Sequence, residues 1–243
     1  MKISILTLFP EQFEGFMNTS IIKKALLQDF CSMELINIRD FTKDKHRRVD
    51  DKPYGGGAGL VMSCQPLVDA LRSVQTDNSY TIYLSPAGKS FNQAKAHQLK
   101  KVDHLILLCG HYEGIDERVL TYVDEELSIG DYVLTGGELG AMVVSDAIIR
   151  LLPGVISQAS IVEESFEHGL LEYPHYTLPP EFEGQQVPEV LMSGHHERIR
   201  QWRLKHALKK TLENRPDLLE QRTLSAEEAQ FLEEIQAENC QES

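Results

Sequence analysis

Leu105-Ile106-Leu107-Leu108-Cys109-Gly110-His111-Tyr112-Glu113-Gly114 is the stretch on which the reading of this chain turns. Five apolar residues in a row, bounded by turn residues, fit a strand buried on both faces. Glycines follow directly, so the chain leaves the strand through a loop whose backbone can approach a ligand closely. Similar short apolar runs occur at Ile3–Phe9, Met33–Ile38, Thr81–Leu84 and Tyr132–Leu134. Helix candidates lie between them: Ile21–Asp29 behind Ser20, Pro66–Val74, Ala94–Val102 behind the capping box Ser90-Phe91-Asn92-Gln93, Asp116–Val123, and Glu138–Leu152, stopped by Pro153-Gly154. This alternation predicts an α/β domain with a parallel sheet.

Two further glycine clusters accompany the first, at Lys52–Gly59 and at Ser128–Gly140. Any one of them is also what a tight turn produces. Three in one domain favour a binding site beyond the carboxyl ends of the strands, lined by backbone N–H and C=O groups, for a nucleotide-like or adenosyl ligand. The common phosphate motifs fail. Gly88-Lys89-Ser90 ends like a P-loop, but Tyr83 stands where the earlier glycine is required, and no G-x-G-x-x-G follows the first strand. No G-x-S-x-G elbow is present.

The rest of the chain is organised differently. Residues 156–193 show little periodicity and are broken by Pro174, Pro179, Pro180 and Pro188, as a long connecting segment would be. His196–Leu212 reads as a basic helix, and Ser225-Ala226-Glu227-Glu228 as a capping box that opens an acidic helix to about Gln236. The expected domains are therefore an α/β domain over 1–156, a linker over 157–172 and a small helical domain over 173–243.

Composition bounds the class. The chain has 243 residues, 42% hydrophobic and 25% charged, which is globular rather than disordered. No stretch approaches the ~18 apolar residues of a membrane helix. The apolar N-terminus is too short for a secretion signal and reads as a first strand. Cys31, Cys64, Cys109 and Cys240 are scattered without a C-x-x-C pair, which suits a cytosolic protein and gives no zinc cluster. The net charge is −13, which taken alone argues against nucleic acid. Its distribution does not: residues 195–215 carry seven Lys and Arg against two acids, between acidic segments on both sides. Such a stripe is either a solvated helix face or an RNA-binding one.

The ordered strings Val49-Asp50-Asp51-Lys52-Pro53-Tyr54-Gly55-Gly56-Gly57, Tyr83-Leu84-Ser85-Pro86, Cys109-Gly110-His111-Tyr112-Glu113-Gly114-Ile115-Asp116-Glu117-Arg118, Ser128-Ile129-Gly130-Asp131-Tyr132-Val133-Leu134, Gly136-Gly137-Glu138-Leu139, Pro174-His175-Tyr176-Thr177 and Ser193-Gly194-His195-His196 together resemble the TrmD family of bacterial tRNA (guanine-N1)-methyltransferases. The resemblance runs over nearly the whole chain. It implies a SPOUT-type parallel sheet with a trefoil knot, S-adenosylmethionine as methyl donor, and a cytoplasmic homodimer whose active sites are shared between subunits. It also implies methylation of the guanosine at tRNA position 37. Magnesium dependence is a family expectation, and the sequence shows no metal site.

The chemistry sets its own demands. N1 of guanine carries a proton and is a poor nucleophile until that proton leaves, and charge then builds on O6. A carboxylate base and a donor near O6 are needed. The resemblance puts Glu164 at the base position, where the family has Asp, with Glu163 as fallback; Arg150 at the position that stabilises O6; and Glu113 beside the reactive methyl. The implied cofactor residues are Tyr83, Leu84, Pro86, Gly110, Tyr112, Glu113, Gly114, Ser128, Ile129, Gly130, Asp131, Tyr132, Val133, Leu134, Gly136, Gly137 and Gly140, the last where the family often has Pro. The tRNA-binding candidates are His46, Arg47, Asp50, Ser193, His196, Arg198 and Arg203. Trp202 either stacks on a base or packs in its helix, and Leu178 replaces a family Arg. A SPOUT ribose methyltransferase and a non-catalytic SAM- or RNA-binding protein are the alternatives.

Overall fold

The computed structural model describes residues 1–242, without the side chains of residues 158, 159 and 239–242. Cys240 therefore lies outside the described side chains, while Cys31, Cys64 and Cys109 are free thiols. The chain divides into two compact units, Met1–Ser157 and Gln158–Ser243.

The first unit is built from β1 (Lys2–Thr7), α1 (Glu14–Met17), α2 (Ser20–Leu27), β2 (Ser32–Asn37), β3 (Asp50–Asp51), β4 (Val61–Met62), α3 (Cys64–Val74), β5 (Ser79–Ser90), α4 (Gln93–Leu99), β6 (His104–Cys109), β7 (Glu125–Ser128) and α5 (Glu138–Ile149). Five strands form one sheet in the order β2-β1-β6-β5-β7, and all its pairs are parallel. β6 is buried along its whole length, as its unbroken apolar run requires. Leu6, Ile106 and Leu108 pack with Leu67 and Leu71 of α3 on one face. Alternation sends Ile3, Ile5 and Thr7 to the opposite face, where Thr7 meets the first residue of α5. Ala141, Val144, Ile148 and Ile149 of α5 are buried.

The structure moves several expected elements. The fifth strand is Glu125–Ser128 rather than Tyr132–Leu134. Glu125 and Glu126 hide it from a hydrophobicity reading, and they are tolerated because β7 is an edge strand paired only with β5. Tyr132 and Val133 instead sit in an exposed loop, Val133 at 85% exposure. Ser90 does not cap α4, because β5 runs through it; Asn92 takes that place and accepts a hydrogen bond from the Lys95 N–H at 2.9 Å. Asp116–Val123 forms a 3₁₀-helix over Glu117–Tyr122.

One irregularity shapes the sheet's carboxyl edge. Leu127 of β7 faces Leu84 of β5 and then, after a shift of register, Lys89. The four residues between them bulge out of the ladder, carrying Ser85 and Pro86 to the end of the sheet.

The second unit comprises α6 (Gln158–Val162), the short strands β8 (Glu181–Phe182) and β9 (Gln185–Gln186), α7 (Glu189–Met192), α8 (His196–Asn214), α9 (Pro216–Glu220) and α10 (Ala226–Glu242). Leu208, Leu232 and Ile235 form its buried centre, with Leu170, Leu204 and Leu212 against them. The capping box opening α10 is reciprocal: Ser225 N–H donates to Glu228 Oε2 at 2.8 Å, and Glu228 N–H to Ser225 Oγ at 3.2 Å.

Candidate active site

The bulge of β5 and the loops that follow β6 and β7 enclose a cavity of about 290 Å³ at the carboxyl end of the sheet, where open α/β sheets bind ligands. The two loops hold each other. The Gly137 N–H donates to Gly110 O at 2.9 Å, and His111 pairs with Gly136 in an antiparallel bridge. This approach demands glycine: a Cβ on Gly137 would lie 2.8 Å from Cys109 Cα, and one on Gly110 would lie 2.8 Å from the Tyr83 hydroxyl. Tyr112 adopts φ +59°, a left-handed conformation that a tyrosine reaches only at a cost in strain.

The wall carries polar groups of both side chains and backbone. Ser128 Oγ accepts from the Gly130 N–H at 3.2 Å and donates to Gly130 O at 3.1 Å, which curls the loop after β7. The Tyr132 hydroxyl donates to Ile129 O at 3.3 Å. Burial pushes the Tyr83 phenol up to about 12, with Glu126 and Glu117 adding to the shift, so the hydroxyl stays protonated and a donor. Beneath the loops, the buried Thr7 hydroxyl donates to Glu138 Oε1 at 2.8 Å. The Glu138 carboxylate sits at the first turn of α5, where the helix dipole favours negative charge.

Every cofactor residue expected from the sequence lines this cavity except Asp131. Four lining residues were not anticipated: Ser85, His111, Leu127 and Thr135. The signal for His111 was available, because it stands inside the quoted glycine loop. Its Nδ1 is buried and has no hydrogen-bond partner. Glu113 also lines the cavity; its backbone N–H donates to Leu60 O at 3.0 Å, tying it to the 52–59 glycine segment. A cavity with apolar walls, backbone edges, one orphaned imidazole nitrogen and a carboxylate at its rim fits an adenosyl group with a positively charged tail. Among the described residues, no group of three or more His, Cys, Asp or Glu side chains is arranged to hold a metal ion.

The remaining candidates lie elsewhere. Arg150 caps the end of α5, its N–H donating to Asp146 O at 3.1 Å, and it does not line the cavity. Asp50 lies in β3, paired with Met62. His46 is exposed, and Arg47 is ion-paired with Asp40. Glu164 belongs to the second unit and lines a separate cavity of about 890 Å³ there, with Glu163, Tyr173, His196 and Arg203. Arg203 lies 4.8 Å over the Tyr173 ring and 3.4 Å from Glu163. Trp202 stacks on His206, ring centroids 3.9 Å apart. Ser193, His196 and Arg198 are exposed.

A parallel α/β sheet with a glycine-walled cavity at its carboxyl end is the arrangement of the α/β proteins that bind ligands at that edge of the sheet. The chain belongs to the tRNA (guanine-1)-methyltransferase TrmD family, whose model matches residues 1–221. It is 55% identical over 239 residues to a tRNA (guanine-N(1)-)-methyltransferase of Dictyoglomus turgidum, covering 98% of both chains. A protein of the same name from Halalkalibacterium halodurans is 54% identical over 240 residues, 97% of this chain and 98% of the relative. One from Carboxydothermus hydrogenoformans is 57% identical over 230 residues, 94% and 91% respectively.

Proposed function

We propose that this chain is a cytoplasmic enzyme that transfers the methyl group of S-adenosylmethionine to N1 of the guanosine at tRNA position 37. The observation that carries the reading is the glycine-walled cavity of the first unit, in a chain of this family. Bound S-adenosylmethionine supplies an electrophilic methyl on a positively charged sulfur. The loops at Gly110–Gly114 and Ile129–Gly137 hold the adenosyl group, and Glu113 faces the charged end. Glu164 accepts the N1 proton, so that the N1 lone pair forms the new N–C bond as the C–S bond breaks with its electrons returning to sulfur. Arg150 stabilises the charge that builds on O6.

The reading assigns residues 1–156 to methyl-donor binding, with the trefoil knot in this region, 157–172 to a linker that carries the base, and 173–243 to tRNA binding. His46, Arg47, Asp50, Ser193, His196, Arg198 and Arg203 contact tRNA. The active enzyme is a homodimer with shared active sites. Support for a dimer comes from α5, where Leu139 and Val143, four residues apart, are 53% and 48% exposed on one face of a helix whose opposite face is buried.

The test is methyl transfer from labelled S-adenosylmethionine, with magnesium, to an unmodified tRNA transcript carrying guanosine at positions 36 and 37. The expected product is 1-methylguanosine, absent from a transcript with adenosine at position 37. Glu164→Gln should abolish transfer and retain S-adenosylmethionine binding. Transfer at the wild-type rate by this variant would remove Glu164 from the mechanism.

A further inference from the structure

The basic stripe of the sequence is not a free basic surface. On α8, Lys205 Nζ lies 3.0 Å from Glu234 and 2.9 Å from Glu238, both on α10. Arg200 lies 2.7 Å from Glu197 on its own helix and 2.5 Å from Glu227 of α10. Arg215 pairs with Asp217 at 2.7 Å. By contrast, Arg198, Lys209 and Lys210 make no ion pair among the described residues.

The partners on α10 are arranged rather than scattered. Glu227, Glu234 and Glu238 are spaced by seven and four residues, which puts them within about 40° of one helix face. The helix carries six Glu and no Lys, Arg or His. Leu232 and Ile235 are buried in the unit's core, which anchors the helix beside α8. The match to the family model ends at residue 221, before α10 begins. The Lys205 ammonium is held above its ordinary pKa, first by Glu238 and also by Glu234.

We propose that Glu234 and Glu238 are specificity-determining residues that occupy Lys205 in place of RNA phosphate, and that α10 thereby suppresses binding of RNA lacking the correct shape. The proposal rests on the tRNA-modifying reading above. Non-specific RNA affinity comes almost wholly from phosphates neutralised by Lys and Arg, with release of the counterions. Each cation already paired inside the protein is withdrawn from that account. A correctly shaped tRNA still engages the uncovered Arg198, and non-cognate RNA has only charge to offer.

The experiment compares wild type, Glu238→Gln, Glu234→Gln/Glu238→Gln, and the double variant with Lys205→Gln added. Each is titrated with a fluorescent single-stranded RNA of unrelated sequence and with the tRNA transcript, across salt concentrations. Freeing one lysine adds one phosphate contact, so the double variant should bind the unrelated RNA about five- to eightfold tighter at 0.1 M salt, with a log–log salt slope steeper by roughly 0.7 to 0.9. Adding Lys205→Gln should abolish the gain. Glu238→Gln alone should give a smaller gain with an unchanged melting temperature, which covers the case where the double variant is destabilised. Unchanged affinity and slope in both Glu variants, or a gain that survives Lys205→Gln, overturns the proposal. Wild-type methyl transfer to tRNA guanosine is measured on the same preparation. Its absence would remove the functional reading, whereas transfer with no affinity gain would remove only this proposal.

Discussion

Replacing Gly137 by alanine tests how the cavity is built. The added Cβ meets Cys109 Cα at 2.8 Å and Gly110 N at 3.2 Å, and both are backbone atoms at the end of the buried strand β6. Neither can rotate away, so the loop that carries Gly137 must lift. Lifting lengthens the 2.9 Å hydrogen bond from Gly137 N–H to Gly110 O, the tie between two walls of the cavity. Overpacking of this kind costs about 1–3 kcal/mol, and a lost hydrogen bond about 0.5–1.5 kcal/mol. A combined cost of about 3 kcal/mol corresponds to a roughly hundredfold weaker Kd. The assay is calorimetric titration with S-adenosylhomocysteine, beside thermal melts. Gly15→Ala is the control. Its Cβ would find nothing within 4 Å, and it sits inside α1 and outside the cavity, so it should bind normally and gain about 0.5–1 kcal/mol in stability. If Gly137→Ala binds and melts like wild type, the contact between the two loops does not define the cavity.

Three further outcomes are expected. Thr7→Val removes the donor to the buried Glu138 carboxylate and the acceptor of the Phe9 N–H; the cost of about 1–3 kcal/mol should lower the melting temperature by several degrees, and Thr7→Ser should recover most of it. His104 is held at both ring nitrogens by Ser4 and Ser79 at 2.9 Å, and burial, then Lys2, keeps its pKa below the ordinary 6.5. The unfolded state therefore takes up a proton first, so stability is intact above about pH 6.5 and falls as the pH drops towards the folded pKa; melts between pH 8 and 5 should show this, and His104→Gln should flatten the decline. Leu139→Asp with Val143→Asp should convert a dimer to a monomer in light scattering with the melting transition retained. A wild-type monomer would refute the proposed dimer.

The sheet was readable where a strand is apolar on both faces. His104–Cys109 announces itself because both faces are covered, and the glycines after it announce the loop. β7 was not readable, because an edge strand tolerates Glu125 and Glu126, while the apolar Tyr132–Leu134 that imitates a strand is loop wall. The cap of α4 moved from Ser90 to Asn92 because pairing of Ser90 with Ser128 extends β5 past the local capping signal. The glycine walls of the cavity were legible as clusters; what they press against was not, since Cys109 and Gly137 meet only after the sheet has formed. Charge misled in the opposite sense. The stripe over residues 195–215 was visible, but its neutralisation by Glu227, Glu234 and Glu238 requires α8 and α10 to pack together. The candidate base Glu164 came from resemblance alone, because an acid in an acidic segment carries no local signature.

The mutual grip of Gly110 and Gly137 has a consequence for synthesis. The cavity takes its lining from residues 83 to 140, and its two glycine loops join only when the segment after β7 folds back on the end of β6. A nascent chain that ends before α5 has β1, β5 and β6 but no closed pocket. A ligand of the finished pocket therefore cannot stabilise early intermediates, and at a concentration a hundred times its Kd it adds about 2.7 kcal/mol only to the completed unit. Methyl-donor binding would thus act as a late lock on the first unit, with any truncated product left to the quality-control machinery of the cell.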